Sequence, residues 1–384
     1  MLLLKNAKLL TMAAKDYPNG ADMLINDGVI VSVGANLPES GARVVDATGL
    51  TALPGIIDAH CHVGMWEDSI GWAGSDGNEI TKPVTPEMRA LDAINPEDRC
   101  FADALKSGVT LAATGPGSAN VVGGQFIAMR TAGSRLDDMV VKEPLALKIA
   151  FGENPKRCYG ESQKKEPMTR MATAALLRQA LVDAQSYQRK LSQAAEDKQP
   201  DRDLGKDILA AALSGQLRVK AHAHRADDIR TALRIRDEFH LNMTLEHCTE
   251  GWRILDVLKR AACPVILGPL FGDRSKEELR NMTYEAPAML NKAGVRFAMM
   301  TDHPVIPLEY LPVTMSLAVR YGLPERAALE AITINAAWAI GLDDRFGSLE
   351  PGKEADFALY EGDPLDPRTK VKQVYVRGLL AHEA

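Results

Sequence analysis

The sequence predicts an α/β chain: a (β/α)8 barrel over residues 54–342, with a small β domain built from both ends, 1–53 and 343–384. Two observations carry this. Apolar strand-like runs alternate with helical stretches through the middle of the chain, and the two flanks contain short alternating strands alone. A doubly wound dinucleotide fold is disfavoured, because no G-x-G-x-x-G follows an early strand.

The elements follow in order. "LLLKNAKLL", "ADMLINDGVIVSVG" with its Asn-Asp-Gly turn, and "ARVVDATG" read as strands. The opening "MLLLKNAKLLTM" is broken by Lys5 and Lys8, so a strand is expected there rather than a leader. Barrel strands are expected at "GIIDAHCH", "GVTLAAT", "GQFIAMR", "PLALKIAFG", "QLRVKAHAH", "NMTLEHC", "CPVILG" and "GVRFAMMTD". Helical periodicity fills 169–197, 225–239, 250–261, 275–293 and 324–340. "GSLEPGKEADFALYEG" and "VKQVYVRGLLA" return to strands, and neither flank has enough of them to stand alone. "QKKEP" and "AAEDKQPDRD" read as solvated charge.

Composition narrows the function classes. Apolar residues make up 46% and charged residues 25%, enough for a large core. A net charge of −6 argues against nucleic acid or an anionic membrane as partner, and 5% aromatics against a single-strand stacking platform. No run is apolar enough for a membrane helix. The five cysteines are scattered and never spaced C-x-x-C, which favours a reducing, cytoplasmic setting over a disulfide framework.

The histidines concentrate where barrel chemistry occurs. His60 and His62 share one face of the first barrel strand, about 7 Å apart at Cα, while Cys61 faces the helices. A hydrogen-bonded core pair is the plainer reading of H-x-H alone. However, His222 and His224 end the fifth strand, Glu246 and His247 the sixth, and Asp302 and His303 the eighth. Six of the eight histidines therefore reach one rim, leaving His240 and His382 outside, and a metal site becomes the better explanation. Imidazole suits zinc and other first-row ions rather than calcium or magnesium.

With "LPGIIDAHCH", "SGVT", "HAH", "EH", "TD" and "TINAAWAIGL…GSLEPGKEADFALYEGDPL" in order along nearly the whole chain, the sequence resembles the metal-dependent amidohydrolase superfamily, in its imidazolonepropionase-like and dipeptidase-like branch. The resemblance implies a distorted barrel with a β-sandwich formed from both termini. It implies that His60 and His62 bind one divalent ion, and that His222 and His247 bind a second or complete a mononuclear site. In the fourth strand Lys148 aligns with a lysine that some relatives carboxylate to bridge two ions; Glu153 is a ready-made alternative, and the choice stays open. Asp302 is expected to shuttle the proton of metal-activated hydroxide.

Substrate contacts are expected from His224, which is also an alternative ligand, and from His303, Asn154, Arg157 and Tyr159. Lys156 shares the anion-holding role proposed for Arg157. "GPGSANVVGGQ" can cradle an oxyanion or simply form a tight loop, and "WEDSIGWAGSDGNE" reads as a lid or a subunit contact. A serine or cysteine nucleophile is disfavoured, since no G-x-S-x-G elbow is present. The expected function is hydrolysis of a C–N bond in a small amide, cyclic amide or dipeptide-type substrate, by a chain that can be a homo-oligomer. Deamination of an amino-substituted ring is the alternative within the same chemistry, and a non-catalytic barrel scaffold the alternative outside it.

Overall fold

The computed structural model describes residues 1–193 and 199–384. Five strands open the chain: β1 (Leu2–Leu9), β2 (Tyr17–Asn26), β3 (Val29–Gly34), β4 (Arg43–Asp46) and β5 (Thr51–Pro54). Eight follow: β6 (Ile56–Cys61), β7 (Val109–Thr114), β8 (Val122–Arg130), β9 (Val140–Ala150), β10 (Arg218–Ala223), β11 (Met243–His247), β12 (Val265–Leu267) and β13 (Phe297–Met299). β14 (Phe357–Tyr360), β15 (Val371–Val376) and β16 (Leu379–Glu383) complete the set.

The first five and last three strands form one sheet, ordered β16-β15-β14-β5-β1-β2-β3. It branches at β1, whose first half pairs with β4 and whose end pairs with β5. This folds its apolar face over Leu4, Leu9, Met23, Ile25 and Phe357, making the small sandwich anticipated from the two flanks. The Asn-Asp-Gly turn closes the β2–β3 hairpin with φ of 49° at Asp27 and 81° at Gly28, the paired positive dihedrals that such a two-residue turn demands. Across the junction, buried Arg130 at the end of β8 reaches Glu354 and, at 3.5 Å, Asp356 beside β14.

All eight anticipated barrel strands are present, consecutive in one sheet from β6 to β13. The third differs in direction: β8 runs antiparallel to both β7 and β9. Only residues 115–121 link β7 to β8, too few for a crossover helix, so the connection is a hairpin. The barrel mouth therefore receives the start of β8 and the ends of the other seven strands. At the mouth β6 and the β13 segment are stitched together: His62 N donates to His303 O at 2.9 Å and Asp302 N to His60 O at 3.3 Å. Lower down, the Asp58 carboxylate accepts from Thr301 N at 3.0 Å and Thr301 Oγ1 at 2.5 Å.

Helices pack outside. Arg170–Gln193 and Leu204–Leu213 lie between β9 and β10, and Ala226–Phe239 and Leu255–Ala261 follow the next two strands. Ala286–Lys292 precedes β13. Ile334–Ile340 sets Ala336, Ala337 and Ile340 against the outward side of β6, β12 and β13. The last residues of the helical stretch expected at 169–197, and part of "AAEDKQPDRD", lie outside the described residues. Among the described residues no helix is long and apolar enough to cross a membrane.

Candidate metal centre

Strand alternation fills the barrel interior with polar side chains. On β6, Asp58, His60 and His62 share the inward face, and on β10 Lys220, His222 and His224 do. Register places Lys220 beside Lys148 of β9, and His222 beside Glu246 of β11. The same alternation would send His247 outward. It does not, because φ is 70° at His247 and 50° at Cys248, and this left-handed turn at the strand end brings His247 back over the mouth. Asp302, at φ 56°, is turned in the same way. Strained backbone of this kind concentrates at functional sites.

Three of the rings, those of His60, His62 and His247, are anchored through Nδ1, while His222 has no hydrogen-bond partner at either nitrogen. His62 Nδ1 donates to Gly115 O at 2.6 Å and His247 Nδ1 to Gly268 O at 2.9 Å. His60 Nδ1 donates to the Glu246 carboxylate at 2.8 Å. Carbonyl and carboxylate oxygens only accept, so the proton sits on Nδ1 and the Nε2 lone pair faces the mouth. This tautomer and outer partner are those that a metal-binding imidazole requires. The Nε2 atoms of His222, His224 and His247 have no hydrogen-bond partner. His62 Nε2 faces Asp302 Oδ1 at 3.2 Å, two acceptors that need a proton or a cation between them. Asp302 Oδ1 is also 3.6 Å from His60 Nε2. Ligating atoms of His222, His224 and His247 lie within 4.8 Å of one another, as do those of His60, His247 and Asp302. The donor set thus fits a first-row divalent ion.

Electrostatics act in the same direction. Burial drives the His60, His224 and His247 imidazoles well below their ordinary value and His222 down to about 4, which leaves them neutral at pH 7 with lone pairs free. Burial alone would raise the Asp302 carboxyl, but the hydrogen bond and charge of His62 outweigh it and hold the group below its usual range. Lys148 Nζ lies 3.1 Å from His60 Nε2, and burial pulls its ammonium down to about 7, so a large neutral fraction exists at physiological pH. Beneath the rings, Lys220 Nζ pairs with Glu246 Oε2 at 3.0 Å and donates to Ala59 O at 3.0 Å. The Nζ of each lysine lies 5.4 Å from the ring centroid of Phe126.

The structure gathers His60, His62, Lys148, His222, His224, His247 and Asp302 at one mouth. It does not bring Glu153 there. β9 ends at Ala150, Gly152 turns the chain at φ 83°, and Glu153 starts a short helical segment in which it faces Arg157 at 3.9 Å. Arg157 is largely exposed on that same turn. The Tyr159 hydroxyl is already committed, donating to Lys82 O at 2.7 Å and lying 2.9 Å from Asn120 Oδ1. Asn154 bridges Ser118 Oγ at 2.7 Å and Lys276 Nζ at 3.2 Å. His303 takes the opposite tautomer to the central rings: Leu308 N donates to its Nδ1 at 3.2 Å, so Nε2 carries the proton and can donate but not ligate. It lines a cavity of about 310 Å³ with Trp66, Asp68, Arg99, Cys100 and Leu308. Trp66 also packs edge-on to His62 at 5.1 Å, while Trp72 in the same loop is 93% exposed.

The glycine-rich 115–125 segment is a tight loop that orients His62 through Gly115 O and ties Gly117 N to Gly77 O at 2.8 Å. Three residues escaped the sequence reading of the site: Asp58, Lys220 and Glu278; the sequence places Glu246 at the rim without a role. The first two were within reach, since they share strand parity with His60 and His222. Glu278, from a turn after β12, approaches His224 Nε2 at 3.5 Å and His222 Nε2 at 3.7 Å, and nothing local in the sequence marks it.

A mixed eight-stranded barrel with inward imidazoles from its first, fifth and sixth strands defines a class of hydrolases, and comparison with known proteins agrees. The amidohydrolase family model matches residues 51–380, and the chain belongs to that family, whose members hydrolyse carbon–nitrogen bonds. It is 30% identical over 388 residues to amidohydrolase tasK of Hapsidospora irregularis, covering 93% of this chain and 39% of that longer protein. It is 27% identical over 373 residues to an imidazolonepropionase of Cupriavidus necator, covering 89% and 85%. A crystal structure of an amidohydrolase from Thermotoga maritima superposes over 100% of both chains with a TM-score of 0.97 at 42% identity.

Proposed function

We propose that this enzyme hydrolyses a C–N bond of a small amide, cyclic amide or dipeptide-type substrate, at a divalent transition ion, most simply zinc, with Asp302 moving the proton. The observation that carries the reading is the set of Nε2 atoms aimed at one mouth, with the His60, His62 and His247 rings fixed from behind through Nδ1–H. His60 and His62 would hold one ion, and His222 and His247 a second or the remainder of a mononuclear shell. When bound, such an ion acidifies water and polarises a carbonyl oxygen.

The rest of the work falls to side chains of this chain. Glu246 and the Gly115 and Gly268 carbonyls keep the rings in register, so the ligands are set before substrate arrives. Asp302 stays ionised at neutral pH and stands against His60 and His62, where it can accept a proton from attacking water and return it to the leaving nitrogen. Lys148 is favoured over Glu153 as the bridging position, because it is buried beside His60 with a depressed ammonium, the condition that carboxylation by CO2 needs. His303 and Asn154 remain the residues proposed to meet substrate, and His224, unpartnered at Nε2, meets substrate or serves as the alternative ligand. The proposal includes a cytoplasmic setting, consistent with five free cysteines, and the domain division 1–53 plus 343–384 against 54–342.

The test is a screen of metal-stripped and zinc-reconstituted protein on N-acyl amino acids, dipeptides and lactams. Turnover should appear only on reconstitution, and Asp302→Asn should keep its zinc while losing roughly 10²–10⁴ in rate. Full activity in stripped protein, or in the zinc-loaded Asp302→Asn variant, would refute the reading.

A further inference from the structure

We propose that Glu278 is a ligand of the ion on the β10–β11 side of the mouth, sharing it with Nε2 of His222 and His224; this rests on the divalent-ion reading above. Glu278 belongs to no barrel strand. It sits in the Glu277–Leu279 turn of the segment between β12 and β13, yet its side chain is only 1% exposed. A carboxylate that deep requires compensation.

Its contacts show how incomplete that compensation is. Oε2 accepts from Glu153 N at 3.1 Å and rests on Gly152, where a Cβ would come within 2.9 Å of it. Oε1 meets Lys276 Nζ at 3.0 Å, but Lys276 is 21% exposed and shares its charge with solvent and with Asn154. The remaining approach of Oε1 is toward His224 Nε2 at 3.5 Å and His222 Nε2 at 3.7 Å. These separations are too long for hydrogen bonds. Two atoms bound to one ion at about 2.0–2.2 Å each stand roughly 3.3–3.6 Å apart at a near-tetrahedral angle, which the 3.5 Å separation meets and the 3.7 Å one exceeds by about 0.1 Å. Both imidazole nitrogens are buried and otherwise unpartnered. A carboxylate and two free lone pairs converging in a dry space form a cation site, and Glu278 supplies there the carboxylate that Glu153, on its outward turn, does not.

A purely structural Glu278–Lys276 pair makes a different prediction, and zinc titration of metal-stripped protein by calorimetry separates the two. If Glu278 ligates, Glu278→Gln loses one equivalent of Zn2+ or binds it at least about 10–100-fold more weakly. Lys276→Met, which removes the cation competing for Oε1, binds Zn2+ more tightly. A structural pair would move both variants together. Wild-type stoichiometry and affinity in Glu278→Gln, or equal or weaker binding in Lys276→Met, overturns the assignment, and Lys276→Met decides the matter should Glu278→Gln fail to fold. A wild-type protein that takes up no Zn2+ would instead remove the divalent-ion reading itself.

Discussion

Glu246→Gln is the perturbation that the barrel interior should feel most. The Glu246 carboxylate accepts from His60 Nδ1 at 2.8 Å, pairs with Lys220 Nζ at 3.0 Å and accepts from Thr244 Oγ1, with its side chain and that of His60 wholly buried. The amide removes the only acidic partner of Lys220 among the described residues and leaves an ammonium uncompensated in the barrel core. Breaking one side of a buried ion pair costs about 3–5 kcal/mol. The same change releases the His60 ring from its fixed tautomer, which should weaken zinc binding by roughly 10–100-fold. Urea denaturation of metal-free protein measures the first effect and zinc titration the second. The double variant Glu246→Gln with Lys220→Met should recover to within about 1–2 kcal/mol of wild type, because removing both charges removes the uncompensated one. A single-variant loss below about 1 kcal/mol, or a double variant as unstable as the two losses summed, would refute this account of the interior.

Two further outcomes follow from the same geometry. His222 is held by burial at about 4, against an ordinary 6.5, so the unfolded chain takes up its proton first as pH falls. Metal-free wild type should therefore lose about 3 kcal/mol relative to His222→Gln between about pH 7.5 and 4, with no change in that difference above about pH 7.5; parallel urea curves across this window check it. Gly115→Ala would place a Cβ 2.2 Å from the ring of Phe126, which is fully buried and lies 5.0 Å from the His60 ring. That variant should lose about 1–3 kcal/mol in denaturation experiments and bind zinc less tightly.

Much of the site was legible because barrel geometry turns one-dimensional pattern into position. Alternation on "DAHCH" and "VKAHAH" puts His60, His62, His222 and His224 on inward faces, and strand order then carries them to one mouth. Three features were not legible. Strand periodicity has no direction, so the reversal of β8 could be read only from the shortness of its link to β7. Parity separates Glu246 from His247, and only the positive φ at His247 lets neighbouring residues both serve the interior. Glu278 lies in the 275–293 stretch whose periodicity reads as helix, but only Glu277–Leu279 and Ala286–Lys292 of it are helical, and a long-range fold-back buries Glu278. The expectation for Glu153 failed for the related reason that a turn at Gly152 ends strand geometry before residue 153 is reached.

The most direct test of the central claim is anomalous diffraction at the zinc edge from crystals of zinc-loaded protein. The account predicts one or two peaks at the barrel mouth, about 2.0–2.1 Å from Nε2 of His60, His62, His222 and His247. Zinc-loaded crystals with no anomalous peak there, or with those rings rotated so that Nδ1 rather than Nε2 faces the mouth, would contradict it.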